Sequence, residues 1–115
     1  MSKILNINDN IKINKNNLQT PYTIVRKSSD STTNVTFTFT QLSYNGNALI
    51  LLELNGSLGM ILVAYHNYKL FSARVIVGSE YGVSASISDY TTLNITLPTW
   101  SEATLIDFRG IDTWS

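Results

Sequence analysis

His66 is the single histidine of the 115-residue chain, and there is no cysteine. A zinc site or a nucleophile–base pair would therefore have to be built around one imidazole. Zinc needs further ligands, and only scattered carboxylates stand elsewhere in the chain. Next to Asn67 and Tyr68, His66 reads as a residue at a strand end, entering a turn. Glu80, Asp89, Glu102 and Asp107 could in principle supply the paired carboxylates of glycosidic cleavage. That chemistry requires one carboxyl with a raised pKa and a fixed separation between the two. Each of these residues falls in a loop or near a strand end, where a carboxylate is ordinarily solvated. Gly78 and Gly82 are spaced like part of a phosphate loop, but a phosphate cradle needs a helix N-terminus after it. A strand pattern follows instead, so the glycines read as positions of positive φ in a hairpin loop. The expectation is a non-enzymatic protein with no catalytic residue, no metal and no cofactor.

The aromatic residues point elsewhere. Tyr44, Tyr68, Tyr81, Tyr90 and Trp100 all fall at turns or strand ends. There a flat amphipathic ring can stack on a sugar or anchor a protein contact, or else close over the end of a hydrophobic core. Together they are the candidate ligand-binding residues. Trp114, one residue from the end of the sequence, needs something to pack on, either the domain's own edge or a neighbour.

Charge narrows the partners. Eight basic residues balance eight acidic ones, and no basic run is interleaved with aromatics, so nothing would neutralise a row of phosphates. Nucleic acid is not an expected partner. Charged residues are only 14% of the chain, so its polar surface must come from Asn, Thr and Ser. A near-neutral surface gives little electrostatic protection against self-association, which suits a subunit of an assembly. The N-terminus lacks the basic-then-apolar layout of a signal peptide, and the longest apolar run is too short to cross a bilayer. These features predict a protein made in a cytoplasm, without membrane insertion.

The elements that must position these residues are strands. Residues 1–19 form a separate segment, with Ile4, Ile7, Ile11 and Ile13 isolated among Asn, Lys and Asp. No helical spacing is sustained there, which predicts an extended attachment arm whose isoleucines contact the domain, another copy or a scaffold. From residue 20 to 115 a period of two governs the pattern. Strands are predicted at 22–27, 35–40, 48–54, 60–65, 70–77, 83–88, 93–97 and 102–109, with a turn at 44–47. Asn55-Gly56 is a strong hairpin signal that pairs the two most apolar runs as central strands. Turn signals recur about every ten residues, the spacing of an antiparallel sandwich or barrel. The fold class is an all-β antiparallel sandwich, jelly-roll-like, of about eight strands. Leu49 to Leu54 and Met60 to Ala64 are apolar on both faces, whereas a two-layer sandwich offers each sheet one inner face. Some of that surface is expected to be covered by another copy.

The arm Ile4-Leu5-Asn6-Ile7-Asn8-Asp9-Asn10-Ile11-Lys12-Ile13-Asn14, followed by Gly59-Met60-Ile61-Leu62-Val63-Ala64-Tyr65, Ser72-Ala73-Arg74-Val75-Ile76-Val77 and Leu93-Asn94-Ile95-Thr96-Leu97, resembles the distal knob domains of bacteriophage tail and head fibres. The resemblance spans most of the chain and is one of texture. It implies a virion structural protein, a homotrimer joined to other virion proteins through its N-terminal segment, that binds a cell-surface glycan or receptor. The sequence shows no long repetitive stem, so it would be a small decoration, a fibre tip or a fragment. Two other readings fit the same residues: a monomeric carbohydrate-binding module, and a small phage-encoded inhibitor of a host protein.

Overall fold

The computed structural model describes residues 22–41, 44–109 and 112–115. The arm isoleucines Ile4, Ile7, Ile11 and Ile13 lie outside the described residues. Every predicted strand is present: β1 (Thr23–Ser28), β2 (Asn34–Gln41), β3 (Asn45–Glu53), β4 (Leu58–His66), β5 (Lys69–Val77), β6 (Ser84–Ser88), β7 (Thr92–Thr96) and β8 (Glu102–Asp107). A short ninth strand, β9 (Thr113–Trp114), closes the order. The strands form two antiparallel sheets, β1-β8-β3-β4-β5 and β6-β7-β2-β9. The pairs β1·β8 and β2·β7 lie in different sheets and bracket the strands between them, as in a jelly roll, but β3, β4 and β5 then run as a meander within one sheet, so the nesting stops there.

The alternation of the sequence carries through to packing. Ala48, Ile50 and Leu52 of β3, Ile61, Val63 and Tyr65 of β4, and Ala103 and Leu105 of β8 face Val35, Phe37 and Phe39 of β2 and Leu93 and Ile95 of β7. The β3–β4 hairpin is central to its sheet, as the apolar runs predict, and turns at Asn55-Gly56, both with positive φ. Burying each of the Val, Leu, Ile and Phe side chains among them contributes roughly 1.5–3 kcal/mol against leaving it in water.

Two local expectations change. The turn predicted at 44–47 is mostly strand, because β3 begins at Asn45. Gly46 can sit inside it only because it lacks a side chain: a Cβ there would fall 2.5 Å from the Tyr65 hydroxyl. Gly78 and Gly82 do have positive φ, but they flank a single 3₁₀ turn, Ser79–Tyr81. That segment carries the chain from the five-stranded sheet to the four-stranded one, so it is a crossover and no hairpin.

Strand direction divides the loops between the two ends of the sandwich. One end gathers the start of β3, the β4–β5 and β6–β7 turns and the segment after β8; it is called here the tyrosine end. The opposite end gathers the β1–β2, β3–β4, β5–β6 and β7–β8 connections.

Candidate functional site at the tyrosine end

Two hairpin turns build this end. His66 pairs with Lys69 across a two-residue loop, Asn67-Tyr68, and both loop residues have positive φ (55° and 63°). Asp89-Tyr90 repeats the conformation between β6 and β7 (55° and 61°), closed by the Thr91 amide donating to the Ser88 carbonyl. A turn with two left-handed residues matches the twist of paired strands. Asn and Asp tolerate it, whereas a bulky residue at the second position is an outlier that costs of order 1–2 kcal/mol. Where glycine would be comfortable, both turns carry a tyrosine, and both rings are exposed, Tyr68 at 61% and Tyr90 at 60%. Backbone strain of this kind is characteristic of binding and switch sites.

Neighbouring elements add to the surface. The Tyr68 amide donates to the Tyr44 carbonyl (3.1 Å), which brings the two rings edge to face with centroids 5.4 Å apart. Tyr44 also meets His66 edge-on at 5.2 Å, and His66 meets Phe71 at 6.4 Å. Phe71 stands at a register shift between β4 and β5, a bulge that turns its ring outward. Tyr90 lies under the Lys69 ammonium, 5.1 Å from the ring centroid. Beside the rings opens a cleft of about 390 Å³ walled by Asn45, Asn47, His66, Phe71 and Arg109, with Gly46 and Tyr65 at its base.

Beneath the cleft is a buried polar cluster. The Tyr65 hydroxyl meets Asp107 Oδ1 at 2.9 Å and also contacts Asp112 Oδ2. Asp107 accepts from Trp114 Nε1 (2.6 Å) and from the Arg109 amide (2.9 Å). Tyr65, Asp107 and Asp112 are all buried. A phenol has one proton to give, so the Tyr65 hydroxyl is shared between two carboxyl groups. Burial, helped by the hydrogen bond to Asp112, pushes the Asp107 carboxyl up to about 6, against the opposing effect of its Trp114, Arg109 and Tyr65 donors. Burial, and then both carboxyls, raise the Tyr65 phenol well above its usual range.

The predicted residues thus separate. Tyr44, Tyr68 and Tyr90 come together at one end. Tyr81, in the crossover, and Trp100 lie at the other, where Trp100 borders a groove of about 260 Å³ with Asp30, Glu53 and Glu102. Trp114, expected to need a packing partner, finds it within its own domain. Its ring meets Phe39 edge-on at 4.5 Å and is 8% exposed. Asp107 is fully buried where a solvated carboxylate was expected, and its acidic partner is Asp112 rather than Glu80, Asp89 or Glu102. Among the described residues no group of three His, Cys, Asp or Glu side chains is placed to hold a metal ion.

Phe71, Asn45, Asn47, Arg109, Tyr65 and Asp112 were missed as site residues. Parity carried a signal for one of them, Tyr65, as it did for the already considered Asp107. Tyr65 and Asp107 occupy inward positions of apolar strands, where a hydroxyl and a carboxyl must find partners. Comparison with known proteins adds no further guide: no protein-family model, no curated protein and no solved structure matches the chain.

Proposed function

We propose that the chain is a non-enzymatic attachment domain of a bacteriophage virion, a fibre tip or small decoration, whose tyrosine end takes a cell-surface glycan. One observation carries the reading: four exposed or half-exposed rings, Tyr44, His66, Tyr68 and Phe71, form an edge-to-face row beside a cleft walled by Asn45, Asn47 and Arg109. A pyranose has an apolar C–H face for stacking on a ring and hydroxyls for amide donors and acceptors. The row offers the first and the two asparagines the second, while Arg109 supplies a cation for a sugar carboxylate. Left-handed Tyr68 holds its ring outward at a cost that a purely structural turn would avoid with glycine. The virion setting is supported by the resemblance in texture to fibre knobs and by the near-neutral, Asn- and Thr-rich composition.

A glycan array tests the reading. Binding should be found on a subset of bacterial surface glycans, lost in Tyr68→Ala and Phe71→Ala, and kept in Trp100→Ala and Tyr81→Ala at the far end. An absence of hits on a diverse array, or loss only on substitution of Trp100, would refute it.

A further inference from the structure

The two sheets turn very different outer faces to solvent. On the four-stranded sheet, Ser84, Ser86 and Ser88 of β6 align with Thr96, Asn94 and Thr92 of β7, and these with Asn34, Thr36 and Thr38 of β2. That face is an uncharged grid of hydroxyls and amides with internal bonds such as Asn94 Nδ2 to Ser88 Oγ at 3.1 Å. On the five-stranded sheet the register lines up Ile24, Ile106, Leu49 and Leu62 in one row, ended by Arg74, and Leu51, Met60 and Val77 in the next, preceded by Arg26 and Thr104. Leu51 and Leu62 are each 41% exposed and Ile24 is 51% exposed. One strand pattern, in one chain, therefore keeps polar residues outward on one sheet and a central aliphatic patch outward on the other, with its charged residues on the edge strands and at one margin. Coding bias and strand propensity act on both sheets alike and do not explain the difference; a covered surface does.

We infer that this aliphatic face is the contact between copies of this chain, and that a second copy seats on it through the same face. Area is sufficient. Five strands spaced about 4.8 Å and six residues at about 3.4 Å give a plan area near 500 Å² per copy, so a pair buries about 1,000 Å², the lower bound of a specific interface. Charge fits a copy of itself. Arg26 and Arg74 stand on the two edge strands while Glu53 and Glu102 pair across β3 and β8 at one margin, so the face bears both signs in equal number. An anionic membrane or nucleic acid would call for one sign. An apolar hollow of about 280 Å³ between Leu51, Leu58, Met60 and Val77 leaves room for an entering side chain. Asn47 and Ala64, which line the glycan cleft, form the next row of the same face beyond Leu49 and Leu62, but the inference is argued from the aliphatic rows alone.

Light scattering on size-separated protein across a dilution series tests it. The wild type should weigh about twice the 12.8 kDa chain, since a contact made by the same face on both copies closes at two. Leu51→Lys combined with Leu62→Lys should fall to the single-chain mass with an unchanged circular dichroism spectrum. Thr36→Lys combined with Ser86→Lys, on the polar grid, should keep the wild-type mass. Because the chain has no cysteine, a second measurement is available should the lysine variant fail to fold. A thiol introduced as Leu62→Cys should react with a maleimide several-fold more slowly than one introduced as Thr36→Cys. A wild type that is a single chain at every concentration, an assembly untouched by the lysines, or equal thiol reactivity would each overturn the inference. None of these readouts involves a glycan, so failure here and failure of the binding proposal are told apart.

Discussion

The raised pKa of the buried Asp107 carboxyl sets how stability responds to pH. Asp107 is held near 6 in the folded chain and near 3.8 when unfolded, so the folded state binds its proton more tightly. The resulting stabilisation is complete below about pH 4, declines as pH rises through about 6, and is absent above that. Urea denaturation should give a folding free energy larger by about 1–3 kcal/mol at pH 4.5 than at pH 7.5 from this group. Asp107→Asn should flatten the profile. Tyr65→Phe removes the phenol that both carboxyls use, and should cost about 2–3 kcal/mol at pH 7 and less at pH 4.5. Next to it, Gly46→Ala would push a methyl group against the Tyr65 ring and should destabilise by about 1–3 kcal/mol.

At the scale of elements, the Asn67-Tyr68 and Asp89-Tyr90 turns set stability against exposure of a ring. Replacing Tyr68 with glycine relieves the left-handed backbone, so it should raise stability by about 1 kcal/mol while abolishing binding at the tyrosine end. Calorimetry alongside the glycan array checks both halves; a Tyr68→Gly protein that is less stable would show that the ring contributes more through Tyr44 than its backbone costs. The ninth strand is a second such element. It has two residues, yet it fastens the edge of the four-stranded sheet through the Trp114 ring on Phe39, the indole bond to Asp107, and backbone bonds between Ser115 and Thr38. Trp114→Ala should therefore cost about 3 kcal/mol, measured as a shifted urea midpoint with an unchanged slope.

For the whole molecule, the two tryptophans report on its two ends. Trp114 is buried and Trp100 is 63% exposed, so acrylamide should quench Trp114→Phe protein, which retains only Trp100, much more strongly than Trp100→Phe protein. The tyrosine end, the buried polar cluster beneath it and the ninth strand are continuous through Tyr65, Asp107 and Trp114. The aliphatic outer face runs along the same strands β3, β4 and β8. A single sheet thus carries the rings at its end, the acids on its inner side and the proposed copy contact on its outer side.

The strands, their inward residues and the central hairpin could be read directly from the chain, because alternation and turn residues are local properties: each strand's side chains reach opposite faces by geometry alone. The apolar excess of β3 and β4 was legible for the same reason. What alternation does not encode is which strands share a sheet and which loops share an end. Tyr44, Tyr68 and Tyr90 are separated by many residues and meet because β3 starts where β4 ends and β7 begins. Tyr81 and Trp100, of the same type and in the same kind of position, are carried to the other end. Asp107 and Asp112 could not be recognised as a pair, since a carboxyl's pKa depends on burial and partners that only packing supplies. Alternation and turn residues alone imply an all-β sandwich with an overly apolar central hairpin. The tertiary structure alone decided where the aromatic surface forms, why Trp114 is inside, and that the surplus apolar side chains gather on one outer face, because sheet membership and register are settled by contacts between residues far apart in the chain.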